Sequence, residues 1–169
     1  MRLLLPLLLS LVFIGGGCGS NAAKTVCTVD ALIAAQVSGR QYVDCTAVAA
    51  DADAGVGAEA MARAQGCVLE AVRQNQAFVF AYDVPHAINH LRVGYAGVPG
   101  GSAATVREYV YSGDVAGKPG DAHPTVSTKT CSALGPDAAL VATPGCTPSV
   151  GRPCLTCVKA SVGAITCGG

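Results

Sequence analysis

Trp is absent from this chain of 169 residues, and only three Phe and five Tyr are present. Apolar residues still make up 51% of the sequence, but much of that share is alanine and an apolar leader. The core is therefore small for the length, since buried apolar area scales with side-chain size. Basic clusters are missing too. Lys plus Arg and Asp plus Glu are equal at 11 each, and removing the leader with Arg2 leaves 10 against 11, a mature charge close to minus one. No Lys/Arg cluster is interleaved with aromatics, which argues against nucleic acid as a partner. No internal repeat of useful length occurs.

Signatures of nucleophilic catalysis are equally scarce. Ser102 follows Gly100-Gly101 without the strand-to-helix elbow of G-x-S-x-G, and no serine has His and Asp partners at a recognisable spacing. Asp51 and Asp53 lack the further oxygen ligands and closing Glu of a calcium loop, so they read as a solvated helix start. Gly55-Val-Gly57 and Gly100-Gly101 do not follow a strand and open onto a helix as a phosphate cradle does. They read as turns.

What is present begins with export. Met1-Arg2 followed by the apolar run Leu3 to Ile14 is too short to span a bilayer as a mature helix and ends in small residues, the pattern of a secretory signal over residues 1–17. Gly15-Gly16-Gly17-Cys18 resembles the lipobox of bacterial lipoproteins, in which small residues precede a cysteine that is diacylated and becomes the mature N-terminus. The resemblance covers about the first twenty residues and departs from the pattern at Gly15, where a Leu-like residue is usual. It implies lipidation of Cys18, a tether over residues 18–25 and stable attachment to a membrane through acyl chains. Gly19, not Asp, after the cysteine resembles the sorting preference for the outer membrane.

The other cysteines are Cys27, Cys45, Cys67, Cys131, Cys146, Cys154, Cys157 and Cys167, an even set. In an exported chain with a thin core this is a disulfide framework. Eight cysteines permit about a hundred connectivities, and the expected pairs are Cys27 with Cys45, Cys67 with Cys131, and two within the tail. Cys154-Leu-Thr-Cys157 with Cys146 and Cys167 also has the makings of a zinc site, and alone of a redox pair. An oxidising compartment disfavours free thiolates, and the following Val-Lys-Ala-Ser-Val-Gly is a poor helix for a redox motif. Structural bridges are the expectation.

Periodicity supplies the architecture. Thr28 to Val37 reads as a short helix with Asp30 in its first turn and Gly39 as its C-cap, and Gln41 to Thr46 as a brief extended piece. Residues 47–57 read as a loop. In Ala58 to Asn75, Met61, Ala64, Val68 and Ala71 recur at intervals of three or four, a helix with one buried stripe. The period then drops to 2. Phe78, Phe80, Tyr82 and Val84 alternate, and three more alternating runs follow at Leu91 to Ala96, Ala104 to Tyr111 and Thr125 to Cys131. The expected fold is α+β, the amphipathic helix packed on a four-stranded antiparallel meander over residues 26–131. A cysteine-rich tail, 132–169, packs on the same domain through its bridges. In element order the arrangement resembles cystatin-like inhibitor topologies, with no motif to carry over.

His86, His90 and His123 are all the histidines of the chain and its candidate metal ligands. If Pro85 opens a helical turn, His86 and His90 share one face at i and i+4, near Asp83. No Glu follows the first His as the zinc-protease pattern requires, so no cofactor is expected. The sequence points to a non-enzymatic, disulfide-stapled lipoprotein of the bacterial outer membrane or cell surface, facing the periplasm or exterior as a binding or structural module. Its expected partners are the membrane, through the anchor, and an envelope protein or peptide. The alternatives are a small metal-assisted hydrolase using the histidines and an inhibitor-like peptide binder at an open sheet edge.

Overall fold

Helix α1, Val29–Gln36, starts where extended Thr28 accepts a hydrogen bond from the Ala31 N–H through its Oγ1 at 3.1 Å. The computed structural model describes residues 28–46, 57–84, 90–101, 104–113, 125–131, 140–149, 151–158 and 160–166. Val37 is the C-cap of α1, and Gly39 takes φ 72° two residues later, so the expected glycine acts just beyond the cap and not at it. Strand β1, Val43–Asp44, follows. Helix α2, Ala58–Arg73, buries the whole expected stripe of Met61, Ala64, Val68 and Ala71, together with Ala60 and Val72. Its end is a Schellman motif: the Gln76 N–H bonds to Ala71 O at 2.9 Å and the Asn75 N–H to Val72 O at 3.1 Å. Asn75 takes the left-handed position with φ 52°, a conformation asparagine tolerates better than most residues.

The strands β2 Phe78–Asp83, β3 His90–Val98, β4 Thr105–Gly113 and β5 Thr125–Cys131 pair antiparallel in sequence order. The sheet does not stop at these four. Its order is β1-β2-β3-β4-β5-β8, with β1 parallel to β2 and β8, Ala160–Thr166, antiparallel to the whole of β5. The expectation of a four-stranded meander is corrected to a mostly antiparallel sheet of six strands. Two residues of β1 are too few to show a period, and β8 joins from the far end of the chain. Strands β6 Leu140–Ala142 and β7 Leu155–Cys157 make a separate antiparallel pair.

Both faces of the sheet are covered. On one, Phe78, Phe80, Val93, Tyr95, Val106 and Cys131 pack with α2 and with Leu140 of β6. On the other, Val79, Ala81, Ala96, Tyr109 and Val126 pack with Val29, Ile33 and Val37 from α1 and the turn after it. Strand β2 is accordingly buried at four successive residues, Phe78 to Ala81, as a central strand covered on both sides should be. A second layer was not expected from α1, whose apolar periodicity is weak. Gly94 explains its seat: a Cβ there would lie 2.4 Å from Val29 Cγ1 and 3.0 Å from Ile33 Cγ2, so the helix rests on bare strand backbone.

One cysteine pair lies within the tail as expected, Cys146 with Cys154, and the others differ from those expected. Cys45 bonds to Cys67, Cys131 to Cys157, and Cys146 to Cys154. The expected Cys67–Cys131 bridge is therefore not formed, nor is Cys27–Cys45, and Cys27 and Cys167 lie outside the described residues. Sequence proximity suggested closing the N-terminal helix onto the next segment, whereas the bridges link layers: β1 end to α2, and sheet to hairpin. The tail also packs by more than its cysteines, since Leu140 is 1% exposed and belongs to the main core. Among the described residues no helix is long and apolar enough to cross a membrane.

Candidate functional site

Several residues singled out in the sequence fall outside the described part: Cys18, Asp51, Asp53, His86, Ser102 and His123. His90 opens β3 opposite Gly113, and its side chain also lies outside it. Among the described residues no group of three His, Cys, Asp or Glu is placed to hold a metal. Cys154 and Cys157 each bond elsewhere, to Cys146 and Cys131, so the C-x-x-C neither closes on itself nor offers thiolates.

Among the described residues polar side chains gather in other places, and two of these lie away from α1. On the α2 face, a row crosses neighbouring strands from β3 to β5, with Tyr95 opposite Glu108 and Glu108 opposite Lys129. The Tyr95 hydroxyl donates to Glu108 Oε1 at 3.2 Å, and Lys129 Nζ lies 3.1 Å from Oε2 in an ion pair that is not aligned as a hydrogen bond. Burial pushes the Tyr95 phenol well above the usual tyrosine range and Tyr82 up to about 12, although a hydrogen bond with Tyr95 pulls Tyr82 the other way. Both phenols stay protonated near neutrality. The Tyr95 hydroxyl is a neutral donor within the packed face and satisfies one oxygen of the Glu108 carboxylate, while Oε2 has the Lys129 ammonium beside it and no hydrogen bond.

The second place is open to solvent. Where the end of α2, the start of β2 and the turn after β3 converge, Gln41, Tyr42, Val43, Asn75, Gln76, Ala77 and Pro99 line a cleft of about 440 Å³. Each wall has a reason to hold still. The Val43 N–H bonds to Ala77 O at 2.9 Å, fixing the first wall onto the sheet. The Schellman turn sets Asn75, and its side-chain amide clamps Gly100 reciprocally: Asn75 Nδ2 donates to Gly100 O at 3.0 Å and Gly100 N–H donates to Asn75 Oδ1 at 3.1 Å. That pair fixes Pro99 beside the helix end. Among the described residues Tyr42, 51% exposed, is one of the few large apolar side chains left in water.

No family model, curated protein or solved structure matches the chain.

The chemistry of the cleft must be read from its own residues. None of its seven lining residues is Asp, Glu, Lys, Arg or His, so it carries no formal charge near neutrality. Side-chain amides at Gln41 and Gln76 offer both donors and acceptors, and Tyr42, Val43 and Pro99 offer apolar surface. Its volume lies within the usual range of ligand pockets, about 300–1,000 Å³. Sequence reasoning missed it, because its walls come from three segments. One signal was available: an Asn just past the last periodic residue of a helix marks a left-handed cap whose side chain is free to reach a neighbouring loop.

Proposed function

We propose that this protein is an exported, lipid-anchored and disulfide-stapled binding module of the bacterial envelope, non-enzymatic, with the cleft beside Tyr42 as its recognition site. The three bridges carry this reading. Two of them join separate pieces of a domain with few large side chains and the third closes the loop between β6 and β7, and such bonds persist where the surroundings are oxidising. The leader Leu3 to Ile14 and the lipobox-like Gly15-Gly16-Gly17-Cys18 agree with that compartment. A single acyl chain binds membranes marginally and two or three bind stably, which suits a surface module held in place while it samples ligand.

The test is mass spectrometry of the membrane fraction under non-reducing conditions. The expected mature chain starts at Cys18, carries fatty acid and lacks free thiols at the six bridged positions, and Cys18→Ala releases it from the membrane. A reduced, unacylated chain in the native host overturns the reading. Strand β8 favours a second one, a peptide binder by strand addition. Its Ala160 to Ala164 stretch is exposed and without charge or Pro, Val162 is 79% exposed, and such edges accept added strands. Metal-assisted hydrolysis through His86, His90 and His123 is distinguished by elemental analysis: stoichiometric zinc that is lost on His86→Ala replaces the binding reading with the enzymatic one.

A further inference from the structure

We infer that the cleft beside Tyr42 takes a neutral saccharide, an inference that rests on the binding-module reading above and names its ligand class. Three classes of ligand are disfavoured by the lining itself. A charged ligand would give up hydration with no formal countercharge among the seven lining residues to replace it. A wholly apolar ligand would cover the amides of Gln41 and Gln76 without giving them partners, at the cost of unsatisfied polar groups. An extended peptide needs a run of ladder hydrogen bonds, and β1 at this edge is two residues long.

A sugar ring answers the same lining without those costs. Its C–H face is apolar and flat enough to lie on the Tyr42 ring, which is large, half exposed and costs little conformational entropy to hold. Its hydroxyls both donate and accept, as the primary amides do. Val43 and Pro99 supply further apolar contact for ring edges. The clamp between Asn75 and Gly100 keeps the walls in place before the ligand arrives, which lowers the ordering cost of binding.

The experiment uses the full-length, membrane-extracted protein in detergent and a panel of neutral mono- and disaccharides: glucose, galactose, N-acetylglucosamine and their disaccharides. Saturation-transfer NMR reads contact and calorimetry reads affinity. The expected result is binding of at least one panel member, with Tyr42→Ala weakening it by about tenfold or more, as loss of an aromatic anchor does. Gln76→Ala weakens it less. The melting temperature of Tyr42→Ala stays near that of the parent, because the side chain is half exposed. A glucuronate arm is expected to bind more weakly than glucose.

Failure of every neutral sugar to bind overturns the inference, as does binding that Tyr42→Ala and Gln76→Ala leave unchanged. A proline-rich peptide that binds at Tyr42 where sugars do not also overturns it. These outcomes are separate from those for acylation and bridge formation, so the ligand class can fall while the envelope-module reading stands.

Discussion

The two faces of the sheet hold their covers by different means. On the face of α2 the cover is made of separate pieces, a 16-residue helix and the β6–β7 pair, and covalent bonds tie them down. Cys45–Cys67 joins the end of β1 to α2, Cys131–Cys157 joins β5 to β7, and Gln65 of α2 accepts the Cys154 N–H at 2.7 Å. On the face of α1 the cover is one eight-residue helix, and no described bridge reaches it. It is held by close approach over Gly94 and by Arg92, which donates to Asp30 at 2.6 and 2.8 Å and to Asp83 at 2.8 Å. Gln36 adds contacts to Arg107 and Tyr109. A disulfide removes freedom from the unfolded chain, so it suits a cover with loose ends.

The comparison breaks most sharply at the bridges. Replacing Cys131 and Cys157 together by Ser opens a loop of separation 26. The expected loss is about 3–4 kcal/mol of unfolding free energy, read by denaturant melts, and larger than for the shorter Cys146–Cys154 loop. Hydrogen exchange in the same variant should rise in β6 and β7 before it rises in α1. Equal acceleration on both faces would show that the two covers are not independent.

Next in size is Gly94→Ala. The added carbon meets Val29 and Ile33, so α1 must lift or repack, at about 1–3 kcal/mol. Calorimetric melting checks this, and a tolerated substitution would mean that α1 is held elsewhere.

Arg92→Met tests the ionic part of that seat, with an expected loss of about 1 kcal/mol or less because Asp30 and Asp83 are each more than half exposed and screened by solvent. Its pH dependence has a definite sign. The hydrogen bonds from Arg92, more than its charge, hold the Asp30 carboxyl below its ordinary value of 3.8. The stabilisation is therefore full above that value and fades as pH falls through the lowered one. Melts of the parent and Arg92→Met should differ at neutral pH and converge as the pH falls below 3.8. A constant gap across that range would show that the arginine acts by packing alone.

The smallest effect runs the other way. Gly66 lies exposed within α2, and a Cβ there meets nothing within 4 Å. Gly66→Ala should stabilise by about 0.5–1 kcal/mol, through helix propensity and a less free unfolded chain. A melting temperature that does not rise would show that the helix gains nothing from the added methyl group.

How far these features could be read from the residues varies by element. Strand β5 runs from Thr125 to Cys131 as its alternation predicts, and β3 and β4 extend one or two residues past their alternating runs. Strand β2 held an overlooked sign of its double cover: Val79 and Ala81, between the aromatics, are themselves apolar, which marks a strand without a wet face. The cleft was hidden for another reason. Tyr42 and Gln76 are ordinary polar-segment residues until the parallel pairing of Val43 with Phe78 brings their two segments side by side.

The sequence by itself determined the local elements and the smallness of the core. Helical and strand periods are set by side chains a few residues apart, and an absence of large aromatics is legible wherever they would have stood. Tertiary structure alone decided which cysteines meet, that β1 and β8 widen the sheet to six strands, and that α1 covers the second face. Those outcomes depend on contacts between residues distant in the chain, such as Gly94 with Val29 and Cys131 with Cys157, whose pairing no short-range pattern encodes.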